Sequence, residues 1–295
     1  MRKPLWCGGV LVLVLVAPLR AEPPAPKVVK ETWDAAYLES AKCGYVHTTV
    51  MEIERDGQKV LRTTLAMNLQ IKRYKETVRL RMDTGTDETP EGKVVGVSLT
   101  QYTDQGKLLL TGTVEGDSIV IRSANDRTGK AVPWDEKVLG LARVESLFAD
   151  KKVKPGDKLE YLNFEPSLMA TVKVKAVVKP AEEVDVLEAV KDGAATRVER
   201  VKKSLVRVEA TSDKVTVGDS AIQLPRLVSW LGRDLQIVRS QMELPGLGQL
   251  TLYRTTQKVA EQEGVAPALL PDLGLNTLIK LDRTIPHVHE AKAVT

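Results

Sequence analysis

The chain has 295 residues and 32.4 kDa, with 43% hydrophobic and 28% charged side chains. That length can bury one large core or two modest ones, and the composition excludes disordered, collagen-like and disulfide-knotted proteins. The formal charge of +4 is concentrated at the front: of 43 basic residues, Arg2, Lys3 and Arg20 fall in the first 21 positions, and the 40 that remain face 39 acids. A net charge of +1 gives a nucleic-acid partner no electrostatic support.

Residues 1–21, MRKPLWCGGVLVLVLVAPLRA, combine a basic start, a short apolar run and small residues at the end. This pattern predicts a Sec-type signal peptide cut between Ala21 and Glu22, and hence a periplasmic or secreted protein. Retention as an uncleaved anchor is the alternative. Later apolar stretches are too short to span a bilayer, so no transmembrane segment is expected after cleavage. Cys7 precedes the apolar run, which argues against a lipoprotein signal. Cleavage would leave Cys43 as the only cysteine, without a partner for an intramolecular disulfide.

Residues 22–30, EPPAPKVVK, read as a flexible linker. From there the pattern alternates with period 2. In 60–72, Leu61, Thr63, Leu65, Met67, Leu69 and Ile71 share one face and polar residues take the other, as in a strand with one buried side. Asp56-Gly57 marks a tight turn between this strand and Tyr45–Glu54. Further strands are expected at Glu76–Asp83, Val94–Tyr102, Lys107–Glu115 and Ser118–Arg122. Pro133–Phe148 breaks the alternation: Val138, Leu141, Val144 and Phe148 have helical spacing, with Asp135 placed as an N-cap. Strands resume at Lys158–Phe164, Leu168–Lys179, Glu182–Val190, Ala195–Glu209, Leu227–Trp230, Gln236–Glu243 and Gln249–Thr256. Residues 257–275 read as a short helix or loop, and Thr277–Leu281 as a last strand. The expected fold is mainly β: a large curved antiparallel sheet or half-barrel with one or two short helices, the helix lying against its concave side. The β domain covers 31–282, with a subdivision near residue 150 as the alternative, and 283–295 form a tail.

Few residues carry chemistry. Cys43 is the candidate nucleophile, and a buried small apolar residue is its plainer role. His47 lies four positions on, on the same strand face by parity but about 13 Å away, beyond hydrogen-bond reach. His287 and His289 form an H-x-H pair, short of the three or four ligands that zinc needs. Asp83-Thr84-Gly85 matches the short signature of aspartic proteases, but those need two copies, so a polar turn at a strand end is the simpler reading. Phosphate-binding, nucleophile-elbow and metalloprotease motifs do not occur. No cofactor is expected.

Four stretches belong together: ETWDAAYLESAKCGYVHTTVMEIERDG, DETPEGKVVGVSLTQY, VKPGDKLEYLNFEP and SQMELPGLGQLTLYRTT. They resemble the N-terminal, non-catalytic β region of secreted bacterial transglutaminase-like proteins. The G-Y-V-H-T-T hairpin and the W-L-G-R-D-L-Q-I-V-R-S turn also resemble a family of periplasmic proteins of unknown function with a curved sheet similar to lipoprotein carriers. In the transglutaminase-like family the catalytic Cys, His and Asp belong to a separate, following domain, and none of Cys43, His47, His287 or His289 occupies a matching motif. The resemblance therefore implies a non-catalytic envelope protein or accessory module. Its expected ligand is apolar or peptide-like, held on the concave face with the helix as a lid. The alternative is a transglutaminase-like or cysteine-protease-like enzyme whose catalytic domain lies beyond this chain.

Overall fold

A computed structural model describes residues 26–55, 57–73, 76–103, 106–124, 126–192 and 195–262. The first half is a meander. Strands β1 (Lys27–Leu38), β2 (Ala41–Arg55), β3 (Gln58–Arg73), β4 (Glu76–Glu88), β5 (Val94–Thr103), β6 (Gly106–Glu115), β7 (Ser118–Ser123) and β8 (Asp126–Pro133) each pair antiparallel with the next. The alternation in β3 positions it: Thr63, Leu69 and Ile71 are buried on one face while Arg62 on the other is exposed. Gly57, with φ of 77°, supplies the left-handed residue that the β2–β3 turn needs.

After β8 come β9 (Val138–Leu139), helix α1 (Leu141–Asp150), β10 (Lys158–Glu165) and two long strands, β11 (Ala170–Asp192) and β12 (Ala195–Ser212). The small hairpin β13 (Val215–Val217) and β14 (Ser220–Ile222) stands apart. Strands β15 (Leu227–Leu231), β16 (Ile237–Leu244) and β17 (Gly248–Thr255) lead back to β1, and a short helix, α2 (Gln257–Glu261), follows. The result is one 15-stranded sheet in the order β8-β7-β6-β5-β4-β3-β2-β1-β17-β16-β15-β12-β11-β10-β9. It is antiparallel apart from the two-residue β9–β10 pair. The β1–β17 pairing, with Trp33 opposite Thr255 and Leu38 opposite Leu250, joins the two ends of the described chain.

The sheet is curved and open, and its hydrophobic clusters show how it curls. One cluster combines Phe148 of α1 with Val172, Val174, Ala176 and Val178 of β11 and Val208 of β12. A second brings Phe164 of β10 and Trp134 against Val97 of β5 and Ile119 of β7, strands from near the opposite edge of the sheet. A third packs Leu38, Cys43, Leu69, Ile71 and Leu250. The seam between the β9–β10 edge and β5–β7 is thus closed by side chains instead of a strand ladder.

Beyond Lys179 the β11–β12 hairpin leaves β10 and continues as a two-stranded arm. Its ladder skips Pro180, where a bulge falls between Lys179 and Ala181. A proline lacks the N–H that a central strand requires, and here β11 has become an edge. Val184, Val186 and Leu205 of the arm pack on Trp230, whose indole N–H donates to Glu182 at 2.9 Å. Arg239 lies over Trp230 and Tyr253 and donates to the Asp185 carbonyl.

Several elements depart from the sequence reading. β1 starts at Lys27, four residues earlier than expected, and Lys27 pairs with Glu52. Asp83–Glu88 continue β4, and the turn falls at 89–92; their polar side chains have tertiary partners that a local pattern does not reveal. The helix begins at Leu141, because Val138 forms β9 and Asp135 caps a turn at the Lys137 amide, 2.8 Å away. Strands 168–179 and 182–190 are one strand with a bulge, and β8, β13 and β14 were not expected. Thr277–Leu281 lies outside the described residues.

Candidate ligand-binding site

Cross-strand register defines one face. Leu61, Thr63, Leu65 and Met67 of β3 stand opposite Glu88, Thr86, Thr84 and Met82 of β4. Thr86 pairs with Val97, and Val97 with Gly112, which is itself opposite Ile121. Since the far strand β10 packs onto this face through Phe164, the face is concave.

Helix α1 sits on that face and is fixed at three places. Its N-terminus lacks a cap of its own, because Gly140 has no side chain. Thr86 and Glu88 of β4 take over: Thr86 Oγ1 accepts the Leu141 amide at 3.0 Å, and Glu88 Oε1 accepts the Ala142 amide at 3.1 Å and the Thr86 hydroxyl at 3.0 Å. Amides left open at a helix start are thus satisfied across 54 and 55 residues of chain. Glu88 is 1% exposed, and burial raises its pKa while the Ala142 amide and the Thr86 hydroxyl oppose the shift. A Cβ at Gly140 would overlap the Glu88 carboxyl, so glycine lets helix and strand meet.

The middle of α1 is held by charge. Arg254 of β17 donates to Asp34 of β1 at 2.8 Å and to Glu145 of α1 at 3.2 Å, and Lys30 stands 3.8 Å from Glu145. Burial raises the Asp34 pKa against the pull of Arg254. The last turn of α1 anchors through Phe148 in the first cluster.

Beside the start of α1 lies a cavity of about 70 Å³. Val94, Val97, Trp134, Val138 and Phe164 give it apolar walls, while Thr84, Thr86 and Asn163 bring polar groups to its rim. Leu139 of β9 and Leu141, the first residue of α1, border it. The helix expected to act as a lid therefore borders a cavity, which is smaller than an acyl chain requires and lies at the sheet's seam.

Cys43 is 1% exposed in the third cluster, its Sγ 3.5 Å from the Ala36 carbonyl, and burial pushes its thiol up to about 11. A thiol held so high is almost wholly protonated at neutral pH, unlike an activated nucleophile. The β1–β2 ladder passes from the Ala36–Gly44 pair to the Tyr37–Lys42 pair, so Cys43 is a bulged residue. The bulge breaks the parity expected from spacing: Cys43 packs with Leu69 and Ile71, while His47, opposite Ala66, belongs to the other face. There His47 stacks on Trp33 at 3.7 Å and meets Glu31 at 2.7 Å. Asp83 accepts from the Tyr102 hydroxyl at 3.0 Å within β4. Its neighbour Asp87 is clamped by Arg62, at 2.7 and 2.8 Å, and by Arg55 at 3.0 Å. Ala21, Glu22, His287 and His289 lie outside the described residues. Among those described, no group of three or more His, Cys, Asp and Glu side chains is placed to hold a metal ion, and no helix is long and apolar enough to cross a membrane.

Fold and site together define a curved antiparallel β-sheet protein with a helix docked on its concave face. No family model matches the chain, and no curated protein does. Among solved structures it is similar to a β-barrel-like protein of a domain of unknown function, DUF1849, from Brucella abortus. That similarity has 13% identity and a TM-score of 0.48, over 79% of this chain and 98% of that one.

Proposed function

We propose that this chain is a non-catalytic binding module of the bacterial cell envelope, holding an apolar or peptide-like ligand at the concave face beside α1. The observation that carries the reading is the seam cavity, with apolar walls, a few polar groups at its rim and the first turn of a helix as one border. Ligand sites combine these features. At about 70 Å³ the cavity has the volume of roughly two waters. It would take a methyl or isopropyl terminus as it stands, and a longer chain only after α1 moves. The signal-like residues 1–21 and the resemblance to the β region of transglutaminase-like proteins support an envelope location and an accessory role.

The test is mass spectrometry of organic extracts from protein purified out of the extracytoplasmic fraction of its own cells. A bound lipid or peptide is expected, and it should be lost from Val138→Phe, which fills the cavity. Protein that carries nothing, and that binds neither fatty acid nor extended peptide in calorimetry, would rule the reading out. The intact mass from the same preparation checks the location: cleavage after Ala21 removes roughly 2 kDa.

A further inference from the structure

The ladder between β9 and β10 is two residues long. Val138 pairs with Leu162 and Leu139 with Asn163, and there it stops, although β10 runs on to Glu165. Past Leu139 the chain turns into α1 at Leu141, so beside Phe164 and Glu165 this edge of β10 has no strand against it among the described residues. The seam cavity lies at that point: Leu139, Leu141, Asn163, Phe164 and Glu165 all line it. Its free polar groups are neutral. Thr86 is already used, accepting the Leu141 amide and donating to Glu88. The Asn163 amide and the Thr84 hydroxyl make no side-chain hydrogen bond among the described residues. The charged residue in the lining is Glu165, whose Oε1 accepts the Ser167 amide at 3.1 Å and the Ser167 hydroxyl at 2.6 Å. Among the described residues no lysine or arginine lines the cavity.

We propose that the seam cavity is the pocket for one valine side chain of an extended peptide, whose main-chain amides meet Asn163 and Thr84. This rests on the ligand-site reading above and commits it to a peptide. The cavity, at about 70 Å³, holds an isopropyl group but is too short for an acyl chain. Charge separates the two chemistries further. The carboxylate or phosphate of a lipid would find no cation in the lining and would face the Glu165 carboxylate, an unfavourable setting for an anion leaving water. A peptide amide is neutral and offers one donor and one acceptor, which an asparagine amide and a hydroxyl can both satisfy. A free strand end beside a pocket for one side chain is also how strand addition reads an extended peptide.

Methyl NMR titration of isotope-labelled protein, purified from the extracytoplasmic fraction of its own cells, tests this. The probes are N-acetyl-valine methylamide, its glycine and phenylalanine counterparts, and dodecanoate. The valine probe is expected to shift the methyl signals of Val94, Val97 and Val138. The glycine probe lacks three buried carbons and should bind at least about tenfold more weakly, and the phenylalanine probe should leave those signals unmoved. Thr84→Val/Asn163→Leu keeps the volume but removes both polar groups, and should weaken the valine probe about three- to tenfold. Circular dichroism and urea midpoints matching the parent establish that it folds, and Thr84→Val alone gives a milder second reading. Equal affinity for the valine probe and either counterpart, or affinity unchanged in both rim variants, overturns the proposal. Dodecanoate binding ahead of the valine probe, and lost in Val138→Phe, overturns it while leaving the ligand-site reading intact. No shift with any probe at millimolar concentration also overturns it, and the mass spectra of the extracts then decide the ligand-site reading separately.

Discussion

Glu88 is buried at 1% exposure with a raised pKa. In a coil a glutamate is solvated; here it supplies the capping acceptor for a helix whose N-cap residue is glycine. Gly140→Ala forces a methyl group into the Glu88 carboxyl and should destabilise the fold by about 1–3 kcal/mol, read from urea unfolding midpoints. The pH dependence has a definite sign. A carboxyl whose pKa rises on folding stabilises the native state fully below its unfolded value, near 4.5, and that stabilisation is lost as pH climbs through the raised folded value. Glu88→Gln keeps an acceptor for the Ala142 amide without the titration. Its stability relative to the parent should therefore increase from pH 4.5 toward neutrality, and thermal melts across that range would show it. An unchanging difference would mean that Glu88 keeps its ordinary pKa in the folded protein.

At the scale of elements, α1 is held more by its partners than by its own sequence. Ten residues are too few for a stable isolated helix, and its first turn has no local cap. Arg254 bridges Asp34 and Glu145, so Arg254→Met leaves a largely buried carboxylate without its cation and should cost about 3–5 kcal/mol. Pairing that change with Asp34→Asn should recover a large part of the loss in a double-mutant cycle. The arm is a second dependent element. Trp230→Ala removes the ring on which Val184, Val186 and Leu205 pack, at a cost of about 3–5 kcal/mol. Proteolysis within the arm should become faster in that variant. Cleavage confined elsewhere would show that the arm has other anchors.

The whole molecule is governed by pairings between distant strands. β1 can complete its ladder only when β17 arrives from the far end of the described chain, and loop closure of that length makes folding slow, on a scale of milliseconds to seconds. A chain ending before β17 should fail to give the native circular dichroism and unfolding transition, because it exposes an edge of β1 and opens the third cluster.

Sequence alone determined the strands whose surroundings are simple. The alternation in 60–72 reports one buried and one wet face, and β5, β6, β7 and β10 fall within a residue or so of where turn residues and period predict them. It also determined the class, a curved antiparallel sheet with a helix on its concave side, because a long run of hairpins has few other ways to bury one face of each strand. Tertiary structure decided everything that depends on a distant partner. Asp83–Glu88 looks like a solvated turn until Arg55, Arg62 and the α1 amides are placed beside it. Asp135 looks like a helix cap until Val138 joins an edge strand, and Cys43 shares a face with His47 until a bulge reverses it. The seam cavity needs side chains from β5, β9 and β10 at once. Local patterns record whether a residue faces water or core; which core it meets, and across which strands, is set by the curl of the sheet.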